Sequence, residues 1–265
     1  MPWLPDFATL LGVPGQPSAQ PATDPDATAT ALAAAWPGGI EADDPDWGRV
    51  SGTAALAAFI AESDAWLAAR SARIVPGPRT AGERRTVAEY DLELMVDGAS
   101  FVLPLAVAVE PGPGPSIAIR IYHSHWPLLG RHLVRAPLLA RDPDARESDV
   151  VGRYQAALAA GDAAAITATF EPDGCFREPA GPQYRVCGTD RLLPFFSGFF
   201  SLGGGIVLEH CTVTEDGVRT ALEFNAVRWG SVDMPHQAGI AIYERGPTGL
   251  LAHARIYDDV DPPLD

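Results

Sequence analysis

The sequence contains one long internal repeat, in which blocks recur in the same order in the two halves of a 265-residue chain. The block RTVAEYDL, which begins at Arg85, returns as RTALEFNA at Arg219. The block IAIRIYHS at Ile117 returns as AHARIYDD at Ala252. Since this spacing is far longer than that of a solenoid repeat, the pattern predicts one fold that has been duplicated.

A third pair of blocks precedes these two and carries an acid followed by proline in each half. ADDPDWG places Asp44 where FREPAG places Glu178. The polar segment LARDPDARESD separates the halves and is the best candidate for a linker. We therefore expect a first domain at residues 1–140 and a second at residues 141–265. Ser148 or Asp149 is expected to cap the helix that follows.

The order of elements in each half indicates an α+β fold. Alanine-rich helical sequence comes first, and segments with two-residue periodicity follow, each ending at a Gly or Pro turn. Helices that precede a meandering sheet are typical of an antiparallel sheet covered by helices on one face. In the second half the strand candidates are residues 207–213, 219–229, 239–244 and 250–257.

The charge balance excludes several classes of partner. The chain has 19 basic and 34 acidic residues and a formal net charge of −15, which repels phosphate backbones and anionic lipid. We therefore expect neither nucleic-acid nor membrane binding. No apolar run reaches the roughly 20 residues of a membrane span. The first residues are broken by prolines and carry no positive charge, so we expect a cytoplasmic protein without a secretory signal.

The potential metal ligands do not form a recognised pattern. Cys175, Cys187 and Cys211 form no CxxC pair, so neither a disulfide framework nor a zinc site is indicated. His123 and His125 are two residues apart, which places both on one face of a strand, but no third ligand is evident. We expect neither a metal nor a cofactor.

The start of the second half resembles a known family. Residues 150–181, VVGRYQAALAAGDAAAITATFEPDGCFREPAG, closely resemble the opening of bacterial ketosteroid isomerases and, more broadly, the SnoaL-like and nuclear transport factor 2-like superfamily. The resemblance covers about residues 150–259, and more weakly about residues 27–123. It implies two tandem cone-shaped domains, each with a curved sheet and helices around an apolar pocket. Packed sheet against sheet, they would imitate the homodimer common in this superfamily, so a monomer or weak dimer is expected.

The resemblance also implies roles for particular residues. Tyr154 matches the helix tyrosine that donates a hydrogen bond to the substrate oxyanion, and Glu178 matches the general base. The family's second oxyanion donor, a protonated aspartate, aligns with Ala241, so that donor is absent at this position. Loss of one oxyanion donor typically costs on the order of 10²–10³ in rate.

Two further acids are candidates for a catalytic role. Glu209, in the apolar stretch IVLEHC, is a possible second pocket carboxylate. Paired with Glu178, it would resemble the two carboxylates of polyether epoxide hydrolases, which share this fold. Asp44 occupies the base position of the first half, whose tyrosine position falls in the proline-rich residues 15–21.

Three functions remain open from the sequence. The first is isomerisation or cyclisation of a small hydrophobic ketone or polyketide through an enolate. The second is epoxide hydrolysis or cyclisation of the polyether type, and the third is non-catalytic binding of a hydrophobic ligand. A second pocket carboxylate favours epoxide chemistry, a lone base with tyrosine favours the enolate, and a closed apolar cone favours binding. The second half is expected to carry the site and the first half to be degenerate.

Overall fold

A computed structural model describes residues 24–147, 149–201 and 203–263 of the chain. The chain divides into two compact units, one ending at Tyr122 and the other beginning at His123. The second unit therefore begins earlier than the expected domain boundary between residues 140 and 141. Ser148 and the proline-rich residues 15–21 lie outside the described residues.

Over residues 24–122, the described part of the first unit, the chain forms one six-stranded sheet and two helices. The sheet order is β2-β1-β6-β5-β4-β3, in which β1 and β6 are parallel and the other neighbours are antiparallel. The Asp24 carboxylate accepts hydrogen bonds from the N–H groups of Asp26 and Ala27 and so begins the first helix. The elements are α1 Pro25–Ala35, β1 Ile40–Asp44, β2 Gly48–Ser51, α2 Thr53–Ala69, β3 Arg73–Ala81, β4 Thr86–Val96, β5 Ala99–Pro111 and β6 Ile117–Tyr122.

The second unit repeats this arrangement with the same strand order. Its sheet runs β8-β7-β12-β11-β10-β9, and β7 and β12 again form the parallel pair. The elements are α3 Trp126–Leu129, α4 Asp149–Ala160, α5 Ala163–Thr167, β7 Phe170–Arg177, a 3₁₀ turn Pro182–Tyr184, β8 Arg185–Cys187, α6 Thr189–Phe199, β9 Ile206–Glu215, β10 Arg219–Trp229, β11 Val232–Arg245 and β12 Leu251–Asp258. Two sheets of one topology confirm the predicted duplication and the α+β class.

The duplication extends to individual ion pairs on the sheets. In the first unit Glu110 binds Arg85 at 2.5 Å and Arg120 at 2.7 Å. In the second unit Glu244 binds Arg219 and Arg255, each at 3.1 Å. The same Arg-Glu-Arg arrangement across three segments therefore recurs in both copies, as cross-strand pairing of opposite charges allows.

Two cysteines correct the expectation that no disulfide would form. Cys175 on β7 and Cys187 on β8 are direct cross-strand partners, their Cα atoms lie 4.1 Å apart, and their sulfurs are bonded. Sequence spacing did not indicate the bond, because only the pairing of a very short strand with β7 brings the two residues together. Cys211 is a buried free thiol.

The segment between the two repeats packs on the second sheet. The Asn225 side chain donates to the carbonyl of Leu139 at 3.0 Å, and the N–H of Ala238 donates to the carbonyl of Arg135 at 2.9 Å. Asn225 alternates along β10 with Phe224 and Ala226, which line a cavity. This part of the segment therefore lies on the sheet face that points away from that cavity.

Candidate functional site

The second unit encloses a cavity of about 440 Å³ between its helices and its curved sheet. Most of its lining is apolar or aromatic, which is typical of sites for small hydrophobic molecules. The apolar wall includes Leu158, Phe176, Phe196, Phe199, Ile206, Leu208, Phe224, Ala226, Trp229, Ile256 and Val260. The polar groups that reach the cavity include Tyr154, Glu178, Asp258 and His132.

Tyr154 enters the cavity from α4, as the sequence predicted. Its side chain is fully buried, and its ring contacts those of Phe170 and Tyr243 at centroid distances of 6.0 Å and 5.2 Å. Burial raises the pKa of the Tyr154 hydroxyl well above its usual value. Gln155, the next residue on α4, donates a 2.7 Å hydrogen bond to the Tyr243 hydroxyl. Tyr154 can therefore donate a hydrogen bond to a bound oxygen, but it is a poor proton donor.

Glu178 lies in a loop that continues β7 and lines the same cavity. The loop reverses direction through hydrogen bonds from the N–H of Glu178 to the carbonyl of Tyr184 at 3.2 Å and from the N–H of Tyr184 to the carbonyl of Gly181 at 3.0 Å. Burial raises the pKa of the Glu178 carboxyl. A desolvated carboxylate of this kind is a stronger base than one in water.

Asp258 is the third acid–base group at the cavity, and the sequence analysis did not identify it. It ends β12 and opposes Gly239 of β11. Burial is the largest cause that raises the pKa of Asp258 to about 7. The N–H of Val260 and the charge of His132 oppose this rise, and the charges of Asp259 and Glu178 add to it. The Asp258 carboxyl is therefore a proton donor near neutral pH, and its charge is coupled to that of Glu178.

One sequence signal could have identified Asp258. In the resemblance of the second half to the family, Ala254 matches a pocket position, and alternate residues of a strand share one face. Counting two and then four residues onward gives Ile256 and Asp258, and both line the cavity. The sequence comparison had instead sought the second acid at Ala241, which is buried in the core of the second unit.

The segment that precedes α4 contributes two residues to the lining of the cavity. Trp126 on α3 and His132 both line the cavity, and their rings stack with centroids 5.1 Å apart. We call residues 123–133 the mouth segment. This segment contributes the Trp126 and His132 rings to the cavity, whereas the other lining residues belong to the second repeat.

Asp259 holds the mouth segment in place. Its buried carboxylate accepts hydrogen bonds from the Ser124 hydroxyl at 3.1 Å and from the His125 N–H at 2.9 Å. It also accepts from the Leu133 N–H at 2.8 Å, and it lies 2.6 Å from His125 Nδ1 and 3.0 Å from His132 Nδ1.

These contacts outweigh the effect of burial on the pKa of Asp259 and on the pKa of His132. Burial tends to raise the pKa of Asp259, but the hydrogen bonds from His125 and His132 hold it well below the usual range. Burial tends to lower the pKa of His132, whereas its hydrogen bond to Asp259 raises it above the usual value. The mouth segment is therefore attached through a fixed negative charge.

The structure places the other two candidate acids away from this cavity. Glu209 is absent from the lining and lies 3.4 Å from His236 Nδ1, whereas its neighbour Leu208 lines the cavity. Asp44, in the first unit, ends β1 and accepts hydrogen bonds from the N–H groups of Asp46 at 2.8 Å and Trp47 at 3.2 Å. Of the four candidates, the structure thus brings Tyr154 and Glu178 together at one cavity.

Comparison with known proteins identifies the domain. Residues 151–252 match the model of the SnoaL-like domain. The first unit, which lies outside this match, has the same sheet order as the matched unit. No match is found among curated proteins.

Several solved structures are similar to parts of the chain. A putative polyketide cyclase from Sinorhizobium meliloti is 20% identical with a TM-score of 0.35, and the match covers 42% of this chain and 94% of that one. An NTF2-like protein of unknown function from Cytophaga hutchinsonii is 16% identical with a TM-score of 0.34, covering 44% and 94%. SalBIII, an epoxide hydrolase/cyclase-like enzyme in pyran ring formation in the polyether salinomycin, is 17% identical with a TM-score of 0.35, covering 41% and 87%.

No helix within the described ranges is both long enough and apolar enough to span a membrane.

Proposed function

We propose that the second domain is an acid–base enzyme that opens an epoxide on a small hydrophobic molecule, with ring closure or hydrolysis as the outcome. The observation that carries this proposal is the second carboxyl group at the cavity. Asp258 has a pKa of about 7, and it faces the same space as Glu178. Two acids with different environments divide into a base and a proton donor.

The proposed reaction uses each group once. Glu178, as the carboxylate, removes the proton from a substrate hydroxyl or a water molecule. The resulting oxygen attacks one epoxide carbon, and the bond from that carbon to the epoxide oxygen breaks. The released alkoxide takes the proton of Asp258, so Glu178 ends protonated and Asp258 ends ionised. Exchange with solvent then restores both groups.

The properties of Asp258 suit this step better than those of Tyr154. An alkoxide leaving group is strongly basic, so the reaction benefits from a donor whose pKa lies near the working pH. Asp258 meets that requirement, whereas the Tyr154 hydroxyl has a pKa raised well above its usual value. Tyr154 then serves as a hydrogen-bond donor that orients the epoxide oxygen.

Enolate chemistry is the second candidate, and one observation favours it. Tyr154 and the protonated form of Asp258 are both available to donate hydrogen bonds to an enolate oxygen, with Glu178 as the base. An enolate needs stabilisation rather than complete protonation, and a pair of donors supplies that. The third function, hydrophobic ligand binding, requires no titratable group in the cavity, so it leaves the Glu178 and Asp258 pair without a role.

The test is turnover of small hydroxy-epoxides and of unsaturated ketones by the full chain and by matched variants. For the epoxides, we expect Glu178→Gln to lower kcat by about 10²–10⁴, the usual contribution of a general base. Glu209→Gln and Asp44→Asn are the controls and are expected to retain activity, with thermal stability measured for all variants. Turnover of ketones alone would transfer the proposal to the enolate route. Equal activity of Glu178→Gln and wild type would contradict both routes.

A further inference from the structure

We propose that the Cys175–Cys187 disulfide is a positioning element for Glu178 and makes the site sensitive to redox state. The inference depends on the proposed function of Glu178 as a base. Cys175 lies on β7, three residues before Glu178, which directly follows that strand, and Cys187 lies on β8, which follows the loop carrying Glu178. The bond therefore closes a ring of chain around this loop.

The loop inside this ring forms one wall of the cavity. We call residues 178–184 the cavity loop. Glu178, Pro179, Ala180 and Tyr184 all line the cavity. Hydrogen bonds from Glu178 N–H to Tyr184 O, from Gly181 N–H to Glu178 O and from Tyr184 N–H to Gly181 O tie the loop to itself. These bonds fix the shape of the loop, but they do not fix its position relative to the sheet.

The attachment of the loop to the sheet depends on a short edge strand. β8 has three residues and pairs only with β7 in the described sheet, because it is the first strand in the order. Its register with β7 consists of the pairs Cys175–Cys187, Phe176–Val186 and Arg177–Arg185. One of three cross-strand pairs is thus covalent. Short edge pairings open readily, and a crosslink restricts the states that opening can reach.

The bond can be reduced by a dithiol. A thiolate of the reductant attacks the Cys187 sulfur, since Cys187 is partly exposed whereas Cys175 is buried. The S–S bond breaks, a mixed disulfide forms, and the Cys175 sulfur leaves as a thiolate that takes up a proton. The second thiol of the reductant then attacks the mixed disulfide and releases Cys187. In total two electrons and two protons pass to the protein, and the reductant becomes a disulfide.

Reduction has a defined consequence for the base. Once β8 is held by hydrogen bonds alone, the cavity loop opens more often and water reaches the Glu178 carboxyl. Hydration removes the burial that raises its pKa, so the pKa of Glu178 falls towards its ordinary value and the base weakens. The site is therefore most active with the disulfide formed.

The test measures loop opening separately from turnover. Hydrogen exchange of residues 178–184 is followed in the oxidised full chain, after dithiothreitol, and after reoxidation, with β11 as the internal reference. We expect exchange in the cavity loop to rise about tenfold on reduction and to return on reoxidation, while β11 stays unchanged. Turnover of the hydroxy-epoxide is expected to fall in parallel, mainly in kcat.

Two variants support this comparison. The double variant C175S/C187S is expected to exchange like the reduced wild type, with or without dithiothreitol. Cys211→Ser, which removes the free thiol outside the loop, is expected to respond like the wild type. Should the double variant fail to fold, the reversible reduction of the wild type still decides the question.

The outcomes separate the two proposals. Equal exchange of the cavity loop in both redox states, or free thiols at both positions after purification without reductant, would overturn the positioning role. Exchange that responds to redox state in a protein with no turnover of any tested substrate would leave the positioning role standing and reject the proposed function. Turnover that is unchanged by reduction, together with unchanged exchange of the cavity loop, would leave the proposed function standing and reject the positioning role.

Discussion

At the scale of single residues, two adjacent aspartates have opposite properties. Asp259 accepts hydrogen bonds from the mouth segment, and these hold its pKa well below the usual range. Asp258 faces the cavity and has a pKa raised by burial to about 7. Neighbouring residues at the end of a strand point to opposite sides, so one sequence pair supplies both a fixed anion and a proton donor.

The pH dependence of the reaction should report both cavity acids. The proposed reaction requires Glu178 ionised and Asp258 protonated, so kcat/KM is expected to rise with pH through the raised pKa of Glu178 and to fall around pH 7. Asp258→Asn cannot release its proton in this range. The residual activity of this variant should therefore lack the alkaline fall. An alkaline limb that is the same in variant and wild type would reject Asp258 as the donor.

The same raised pKa predicts a change of stability with pH. In the folded protein Asp258 keeps its proton up to about pH 7, whereas the unfolded chain releases it near pH 4, so this group lowers stability as pH rises between these values. Asp258→Asn removes that effect. Between pH 4 and pH 8 the variant should gain about 4 kcal/mol in unfolding free energy relative to wild type. Guanidinium denaturation of both proteins measures this, and parallel pH dependences would contradict it.

At the scale of elements, the mouth segment depends on one carboxylate. In Asp259→Asn an amide replaces the carboxylate, so one accepting oxygen remains where there were two. At least one of the His125 and Leu133 N–H groups is then left without an acceptor. We expect a loss of about 2–4 kcal/mol in unfolding free energy and faster hydrogen exchange in residues 125–133. Asp173→Asn, at an exposed position on β7, is the matched control. Unchanged exchange in Asp259→Asn would show that the segment is held by other contacts.

The strands show what sequence periodicity can and cannot determine. The predicted strand at residues 219–229 coincides with β10, and the prediction at 250–257 is one residue from β12 at each end. The alternation of apolar and polar residues along these two segments predicts where the strands begin and end. The prediction at 239–244 missed the first part of β11, where polar residues interrupt the apolar pattern. Periodicity identifies a buried face, but a strand can extend beyond it.

The site shows a related limit. Tyr154 and Glu178 were found because they lie in a segment that resembles a family motif. Asp258 and the Cys175–Cys187 bond were missed because they depend on strand register, which sequence spacing alone does not give. The mouth segment was missed for another reason. Its attachment to Asp259 joins residues 124 and 133 to residue 259, far apart in the chain.

At the scale of the whole molecule, the duplication predicts an oligomeric state. The chain contains two copies of one fold, and the resemblance of its second half implies a superfamily in which homodimers are common. We expect light scattering coupled to gel filtration to give the mass of one chain at micromolar concentration. A stable dimer mass that persists on dilution would contradict this expectation.

Under the proposed function, the two domains have different roles. The acid–base groups Tyr154, Glu178 and Asp258 all belong to the second unit, whereas Asp44 of the first unit caps the turn after β1. Asp44→Asn keeps an oxygen that can accept from the Asp46 and Trp47 N–H groups, so it is expected to change stability by less than about 1 kcal/mol and to leave kcat unchanged. A large loss of kcat without loss of fold in Asp44→Asn would assign catalysis to the first domain.

The central claim is that the cavity of the second domain holds a base and a proton donor with different proton affinities. Carbon-13 labelling of the Asp and Glu carboxyl groups allows each to be titrated by NMR in the full chain without any substrate. The account predicts that Asp258 titrates near pH 7, that Glu178 titrates above its ordinary value, and that Glu178→Gln lowers the pKa of Asp258 because a neighbouring negative charge has been removed. Titration of both groups near pH 4, with no effect of one on the other, would contradict it.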